Sequence, residues 1–415
     1  MDKKKTILFI SGIDFKEKSI QVIRKTPESF AKRGWEVDYL VLRDNSKSGN
    51  YFYEKPINPL GINVYRINYK MSHLLNSINN HLLRTIVNKL ISIIGVYQLF
   101  IRSYKLLQRK NYDVIYGYEH IGVRTVSKLD SLKLIKGILK VSRFQGTWLS
   151  QFLKQKRYFK LLLNFDFLIA MRFKSDICIM TNDGTQGDFI IKKLKTKYPV
   201  FKFWVNGVDL PILNNKKIDE IKFKYNLENK FCLITVSRLE SWKKVERPIK
   251  IIHAFKEKYP EIIKDIKLMI IGEGTERKKL ENLTSELNLN DNIIFAGAVN
   301  NYDVVNYLDN AKVFMSFYDL SNVGNPLLEA IRSNKIIMTL SNGDTSKWIN
   351  HKSNGFIYSP EKNYFEVVAE DLFNLINNEN YQKKIKKEIK TLEKEKLWTW
   401  EQRFSSEVEL IDEKL

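Results

Sequence analysis

The chain has 415 residues, 44% of them hydrophobic and 28% charged, with 69 Lys and Arg against 47 Asp and Glu for a net charge of +22. That length exceeds one ordinary core and suggests two domains, and the composition excludes a disordered chain. Two cysteines, Cys178 and Cys232, exclude a disulfide framework and favour a reducing compartment.

The basic start, Met1 to Ile10, has too short an apolar run for a signal peptide. The longest apolar stretch, Leu90 to Ile101, contains Ser92 and Gln98 and is flanked by Lys89 and Arg102. It falls short of the ~20 residues that span a bilayer. A soluble or peripheral protein is expected. The positive charge suits nucleic acid, an anionic membrane surface or phosphorylated substrates, and equally a solvated lysine-rich surface.

In chain order, Lys5 to Ser11 reads as a strand that turns at Gly12. Val22 to Arg33 has helical spacing and stops at Gly34. Strands follow at Trp35 to Leu42 and Ile62 to Ile67, the opening of a doubly wound α/β unit. Residues 74–109 carry a long Leu- and Ile-rich helical pattern with interspersed cations. Asp113 to Tyr116 is a strand followed by the turn Gly117-Tyr118-Glu119-His120. Ile138 to Phe144 is the next, followed by Gln145-Gly146-Thr147. Both turns fall at carboxyl ends of strands, where open α/β sheets bind ligands.

Trp148 to Ser175 sets six cations and seven aromatics against one acid, Asp166. It reads as a basic-aromatic amphipathic helix for a membrane surface, or as aromatics facing the core with lysines in water. Strands at Asp176 to Thr181 and Val200 to Val205 close the first domain. The turn Asn206-Gly207-Val208-Asp209 and the polar, lysine-rich residues 211–229 mark the boundary. The pattern then restarts, with strands at Phe231 to Val236, Leu268 to Ile271, Ile293 to Phe295, Val313 to Phe317, Ile336 to Leu340 and Phe356 to Tyr358. Helical segments between most of them make a second parallel α/β domain.

Four turns of this second domain carry chemistry. Ser237 to Lys244 places Arg238 and Lys243 five residues apart, where a planar fork and a point charge can reach one diphosphate. Ile271 to Arg277 and Phe295 to Val299 put glycines after strands, the second allowing close approach by a flat base. Asp319 to Ala330 follows a buried strand and reads as a polar turn, with Asn325 as N-cap and Pro326 as first helical residue. A strand, a glycine turn and a helix start make an anion site.

Taken in order, Asn206 to Asp209, Ser237 to Lys244, Gly272 to Arg277, Phe295 to Gly297 and Ser321 to Ala330 resemble the retaining nucleotide-sugar glycosyltransferases of family 4. The resemblance covers residues 206–360, and Trp398 to Phe404 is similar to the family's closing helix. It implies the GT-B fold: two Rossmann-like doubly wound parallel-sheet domains facing a central cleft. Residues 1–205 would form the acceptor-binding domain, 206–396 the nucleotide-sugar-binding domain, and 397–415 a C-terminal helix crossing back to the first.

It further implies transfer of a hexose from a nucleotide diphosphate sugar, UDP favoured, to a saccharide or lipid-linked glycan acceptor in envelope or surface glycan synthesis. Arg238 and Lys243 would stabilise the leaving diphosphate, and Glu329 would bind the ribose hydroxyls. Donor contacts would come from Gly12, Gly272, Ala298, Ser321, Asn322, Val323, Gly324 and Asn325. His120 and Gln145 would stand on the acceptor side. No cofactor or metal is expected, and the chain contains no Asp-x-Asp pair. The protein would be cytoplasmic and peripheral on the inner face of the membrane, reached through 148–175.

Two departures bear on activity. Ser321 stands where the family's first signature glutamate touches the donor sugar, and Gln145-Gly146 replaces a His-Gly. Glutamine can hydrogen-bond a sugar but is no base near neutral pH. A non-catalytic GT-B protein that binds glycan or stabilises a partner transferase is therefore the alternative. Nucleic acid is not expected as a partner, because no recognition helix, zinc or single-strand aromatic motif accompanies the charge.

Overall fold

The structure, a computed structural model, describes residues 4–15, 21–45, 55–69, 72–75, 77–209, 212–320, 322–361 and 363–415. The chain divides into two units. The first comprises Met1–Asn182, Gln186–Trp204 and Glu401–Leu415, and the second Asp183–Thr185 and Val205–Trp400. Ser321 lies outside the described residues, as do Leu210 and Pro211 at the head of the polar boundary stretch.

In the first unit, β1 (Thr6–Ser11), β2 (Glu36–Asp44), β3 (Ile62–Tyr69), β4 (Val114–Tyr118), β5 (Leu139–Phe144), β6 (Ile177–Thr181) and β7 (Val200–Trp204) form one sheet in the order β3-β2-β1-β4-β5-β6-β7. Every pairing is parallel. All six residues of β1 are buried, as a strand covered on both faces requires. The helices are α1 (Gln21–Lys32), α2 (His81–Leu107), α3 (Glu119–Ser131), α4 (Leu149–Lys154), α5 (Tyr158–Leu163), α6 (Phe165–Arg172) and α7 (Gly187–Leu194). Asn80 caps α2, its Oδ1 accepting from the Leu82 and Leu83 amides at 2.9 and 3.1 Å.

Three expectations for this unit are corrected. Gly117 and Tyr118 complete β4 instead of forming a turn, and His120 is the second residue of α3 rather than a loop residue. Residues 148–175 are three short helices and not one amphipathic helix, because Lys156 (φ 54°) breaks the run after α4 and Asn164 separates α5 from α6. Their aromatics divide: Phe167 and Phe173 are buried, whereas Trp148, Tyr158 and Phe159 are exposed. Finally, Leu82–Leu107 is long and apolar enough to cross a membrane by length and composition, with a third of its most apolar 18-residue window buried. Ser92 and Gln98 lie within the apolar middle of this helix, with cations toward both ends.

In the second unit, β8 (Phe231–Val236), β9 (Ile266–Ile271), β10 (Ile293–Gly297), β11 (Val313–Ser316), β12 (Ile336–Leu340) and β13 (Phe356–Tyr358) pair in parallel in the order β10-β9-β8-β11-β12-β13. Its helices are α8 (Asn215–Lys224), α9 (Glu246–Lys258), α10 (Arg277–Glu286), α11 (Val304–Asp309), α12 (Asn325–Arg332), α13 (Phe365–Ile376) and α14 (Glu379–Lys396). The last helix, α15 (Trp400–Asp412), belongs to the first unit from Glu401 onward.

Each sheet reverses its strand order once, between β1 and β4 in the first and between β8 and β11 in the second. Ligands of open α/β sheets sit outside the carboxyl ends of the strands at such a reversal. In the second unit that point lies between the turns after Val236 and Ser316.

Candidate functional site

At the reversal of the second sheet, β8 runs into Ser237-Arg238-Leu239-Glu240 and a short 3-10 turn, Ser241–Lys243. The turn is pinned by backbone bonds: Ser237 N donates to Ile271 O at 3.0 Å and Leu239 N to Glu273 O at 2.9 Å. Gly272 makes this possible. Its φ is +135°, and a Cβ there would lie 1.8 Å from the Ser237 carbonyl oxygen. Gly272 N in turn donates to Gly297 O at 2.8 Å, so the turns after β8, β9 and β10 form one connected rim. Ala298 follows on that rim and is exposed. Gly272 therefore serves loop packing, whatever else it contacts.

Lys243 is almost wholly buried, with its ammonium 4.3 Å from the Trp242 ring and 4.1 Å from the Tyr318 ring. Arg238 is exposed, its guanidinium 5.5 Å from the same Trp242 ring. Neither side chain has an ion-pair partner among the described residues. Burial, and then repulsion by Arg238, lower the Lys243 pKa to about 7, against an opposing pull from Asp183. Two cations held together with so little countercharge make a place for an anion.

Asp183 arrives from a segment that sequence reasoning missed. The turn after β6 sends Asp183–Thr185 into the second unit, where Val323 N donates to Asp183 O at 3.1 Å. A Cβ on Gly184 (φ +84°) would lie 2.7 Å from Val323 N and 2.9 Å from Asn322 N. The only signal in the sequence was the polar run Asn182-Asp183-Gly184-Thr185 after a strand, and nothing there reveals its partner.

The opposite wall is the start of α12. The N-cap is Gly324 and Asn325 is the first helical residue, one position earlier than the expected start, because Leu327 N and Leu328 N both bond to the Gly324 carbonyl. Asn325 is instead held by Asn206, whose Nδ2 donates to its Oδ1 at 2.8 Å. Among the described residues no side chain caps this helix, and its first turn bears no acid. Its free amides and dipole are left for another anion. Asn322 and Val323 are buried, and the Asn322 Oδ1 has no hydrogen-bond partner among the described residues.

Glu329 lies one turn in. Its carboxylate has no hydrogen-bond or ion-pair partner among the described residues, and burial pushes its pKa up to about 7. Asp319, by contrast, is committed: Arg247 Nη1 stands 2.7 Å from its Oδ1.

The structure thus connects Arg238, Lys243, Gly272, Ala298, Asn322, Val323, Gly324, Asn325 and Glu329 within one unit. Gly12, His120 and Gln145 lie in the other. Gly12 follows β1 and faces the Ile121 side chain. His120 stacks on Phe167 (4.1 Å between ring centroids), with Nε2 3.6 Å from Asp166 Oδ2, and burial lowers its pKa to about 4. Gln145 is spent on its own domain: Nε2 donates to Tyr118 OH at 2.5 Å, its amide N donates to Glu119 Oε1 at 2.6 Å, and Oε1 accepts from Thr181.

Two parallel doubly wound units, the second with a cation pair and an uncapped helix start at its strand reversal, are the architecture of a GT-B protein. The crystal structure of Anabaena HepE in complex with UDP shares it, with a TM-score of 0.71 over 99% of this chain and 100% of that one, at 13% identity. Residues 217–392, in the second unit, match the family model described as Glycosyl transferases group 1.

An uncharacterized glycosyltransferase of Methanocaldococcus jannaschii is 28% identical over 222 residues, 48% of this chain and 54% of that protein. The N-acetylgalactosamine-N,N'-diacetylbacillosaminyl-diphospho-undecaprenol 4-alpha-N-acetylgalactosaminyltransferase of Campylobacter jejuni is 27% identical over 177 residues, 42% and 44% of the two chains. The chain spans about half the length of these curated relatives.

Proposed function

We propose that the protein is a retaining, metal-independent glycosyltransferase that moves a hexose from a UDP-sugar to a saccharide or lipid-linked glycan in envelope or surface glycan synthesis. It would work in the cytoplasm, where the buried, unpaired Cys178 and Cys232 would persist as thiols. The observation that carries the reading is the pairing of Arg238 and Lys243 without ion-pair partners at the sheet reversal. The UDP in the HepE structure and the undecaprenol-linked name of the Campylobacter relative support the donor and acceptor classes.

In this reading the bond from the sugar C1 to the β-phosphate oxygen breaks and its electron pair leaves with the phosphate. Arg238 and Lys243 neutralise the charge that develops there, the step at which preorganised cations matter most. The acceptor hydroxyl oxygen forms the new bond to C1 on the same face, and its proton passes to the departing phosphate oxygen. Glu329 accepts hydrogen bonds from the ribose hydroxyls, and the amides at Gly324 and Asn325 meet phosphate. The Ala298 backbone holds the base.

A non-catalytic role has one observation in its favour, the commitment of Gln145 to Tyr118 and Thr181. Turnover decides between the two. With a panel of UDP-hexoses, Arg238→Ala and Lys243→Ala should each lower kcat/KM about 100-fold or more, the usual loss for one charge-stabilising group, with urea midpoints unchanged. Undiminished turnover in both variants would sink the catalytic reading. UDP binding by a wild type that neither transfers nor hydrolyses any donor would establish the alternative.

A further inference from the structure

The outer side of α2 is an apolar surface that the donor site does not explain. Leu83, Ile86, Leu90, Ile93, Tyr97 and Ile101 recur at spacings of three and four and are 38–54% exposed. The opposite side is buried: Ile91, Val96, Leu99 and Leu106 belong to the core of the first unit. A helix apolar on both sides needs a second apolar environment. Because its inner side is core, α2 lies along the protein and offers only the outer side. We propose that this side docks on an anionic lipid bilayer.

Charge selects that occupant over a second copy of the chain. From His81 to Leu107 there is no Asp or Glu, while Arg84, Arg102 and Lys105 are present beside Lys89, which is already paired with Asp166. Two such helices face to face would set cation against cation, whereas anionic headgroups match them.

The surface also continues beyond α2. Lys89 Nζ donates to Asp166 Oδ1 at 2.8 Å and lies 3.4 Å from Asn164 Oδ1, joining α2 to the junction of α5 and α6. On α5, Tyr158, Phe159 and Leu162 are exposed beside Lys156, Arg157 and Lys160. A groove of about 480 Å³ is lined by Ile93, Ile94, Tyr97 and Ile169 together with Arg124 and Lys128, a setting for an acyl chain under its phosphate. Membrane contact therefore centres on α2, with α5 adjoining, rather than on 148–175 alone. Nothing in this surface depends on the donor-site reading.

Co-sedimentation with vesicles tests it. The full chain should partition at least ten times more onto phosphatidylcholine vesicles containing about one third phosphatidylglycerol than onto phosphatidylcholine alone, and rising salt should release it. The triple variant Leu83→Ser, Leu90→Ser, Tyr97→Ser should lose at least tenfold in partitioning, with UDP titration and urea midpoint unchanged. Lys105→Glu, which leaves the apolar stripe intact, should weaken partitioning onto the anionic vesicles alone. The proposal is overturned by a wild type that stays in the supernatant with both vesicle types, or by a triple variant that binds like wild type. It is equally overturned by a wild-type dimer that the triple variant converts to monomer.

Discussion

Lys243 and Glu329 approach neutrality from opposite directions, and both effects start from burial. The folded pKa of Lys243 is lowered from 10.5 to about 7, so the unfolded chain holds its proton more tightly and stability rises with pH between about 7 and 10.5. The folded pKa of Glu329 is raised from 4.5 to about 7, so stability falls as pH rises between about 4.5 and 7.

Ligand binding reverses both shifts in the proposed site. At pH 8 Lys243 is roughly nine-tenths neutral without ligand, and a diphosphate beside it restores its charge. UDP titrated at pH 8 in buffers of different ionisation enthalpy should therefore show net proton uptake, and Lys243→Met should abolish it. Equal heats in all buffers for the wild type would contradict this account of Lys243. Arg238 and Lys243 are legible in the sequence because they lie five residues apart in one loop, and Glu329 is reached through the resemblance of Ser321 to Ala330. Asp183, which pulls on Lys243 from a distant turn, is not legible, because tertiary packing alone brings it there.

Among elements, β8, β12 and β13 have the bounds expected from sequence, and the other strands shift by only a few residues. Parallel strands buried on both faces leave continuous apolar runs, the easiest signal to read. Helical elements were less legible. The aromatic spacing in 148–175 looked continuous, but a left-handed Lys156 and the Asn164 junction divide it. The N-cap of α12 moved from Asn325 to Gly324 because the Asn325 side chain bonds to Asn206 instead of the helix amides. Apolar periodicity in α2 was visible, yet which side faced the core required the fold.

The Gly272 turn belongs to this scale, since it welds the loops after β8 and β9. Gly272→Ala combines a strained φ of +135° with a 1.8 Å clash against backbone. It should cost about 2–4 kcal/mol, read as a lowered urea midpoint. An unchanged midpoint would mean that the loops relax freely.

Across the whole molecule, the chain returns to its first unit after completing the second. The returning helix α15 brings Glu407 and Arg403, paired at 2.7 Å, into complete burial, where Tyr116 OH donates to Glu407 Oε1. Burial alone would raise the Glu407 pKa, but Arg403 and Arg143 outweigh it and hold the carboxyl below its usual range. Removing one partner from such a set costs about 3–5 kcal/mol, so residues 401–415 are part of the first unit's core and not an appendage. The tail's likeness to a closing helix was visible in Trp398 to Phe404, whereas its buried charge network was not, because Tyr116 lies 291 positions from Glu407.

The central claim is that the start of α12 and the Arg238–Lys243 pair receive a nucleotide diphosphate. Titration calorimetry of UDP into the wild type, Arg238→Ala and Glu329→Ala tests it most directly. Saturable binding by the wild type, weakened at least tenfold in each variant without a change in urea midpoint, is the predicted result. No heat with the wild type, or equal affinity in all three proteins, would contradict it.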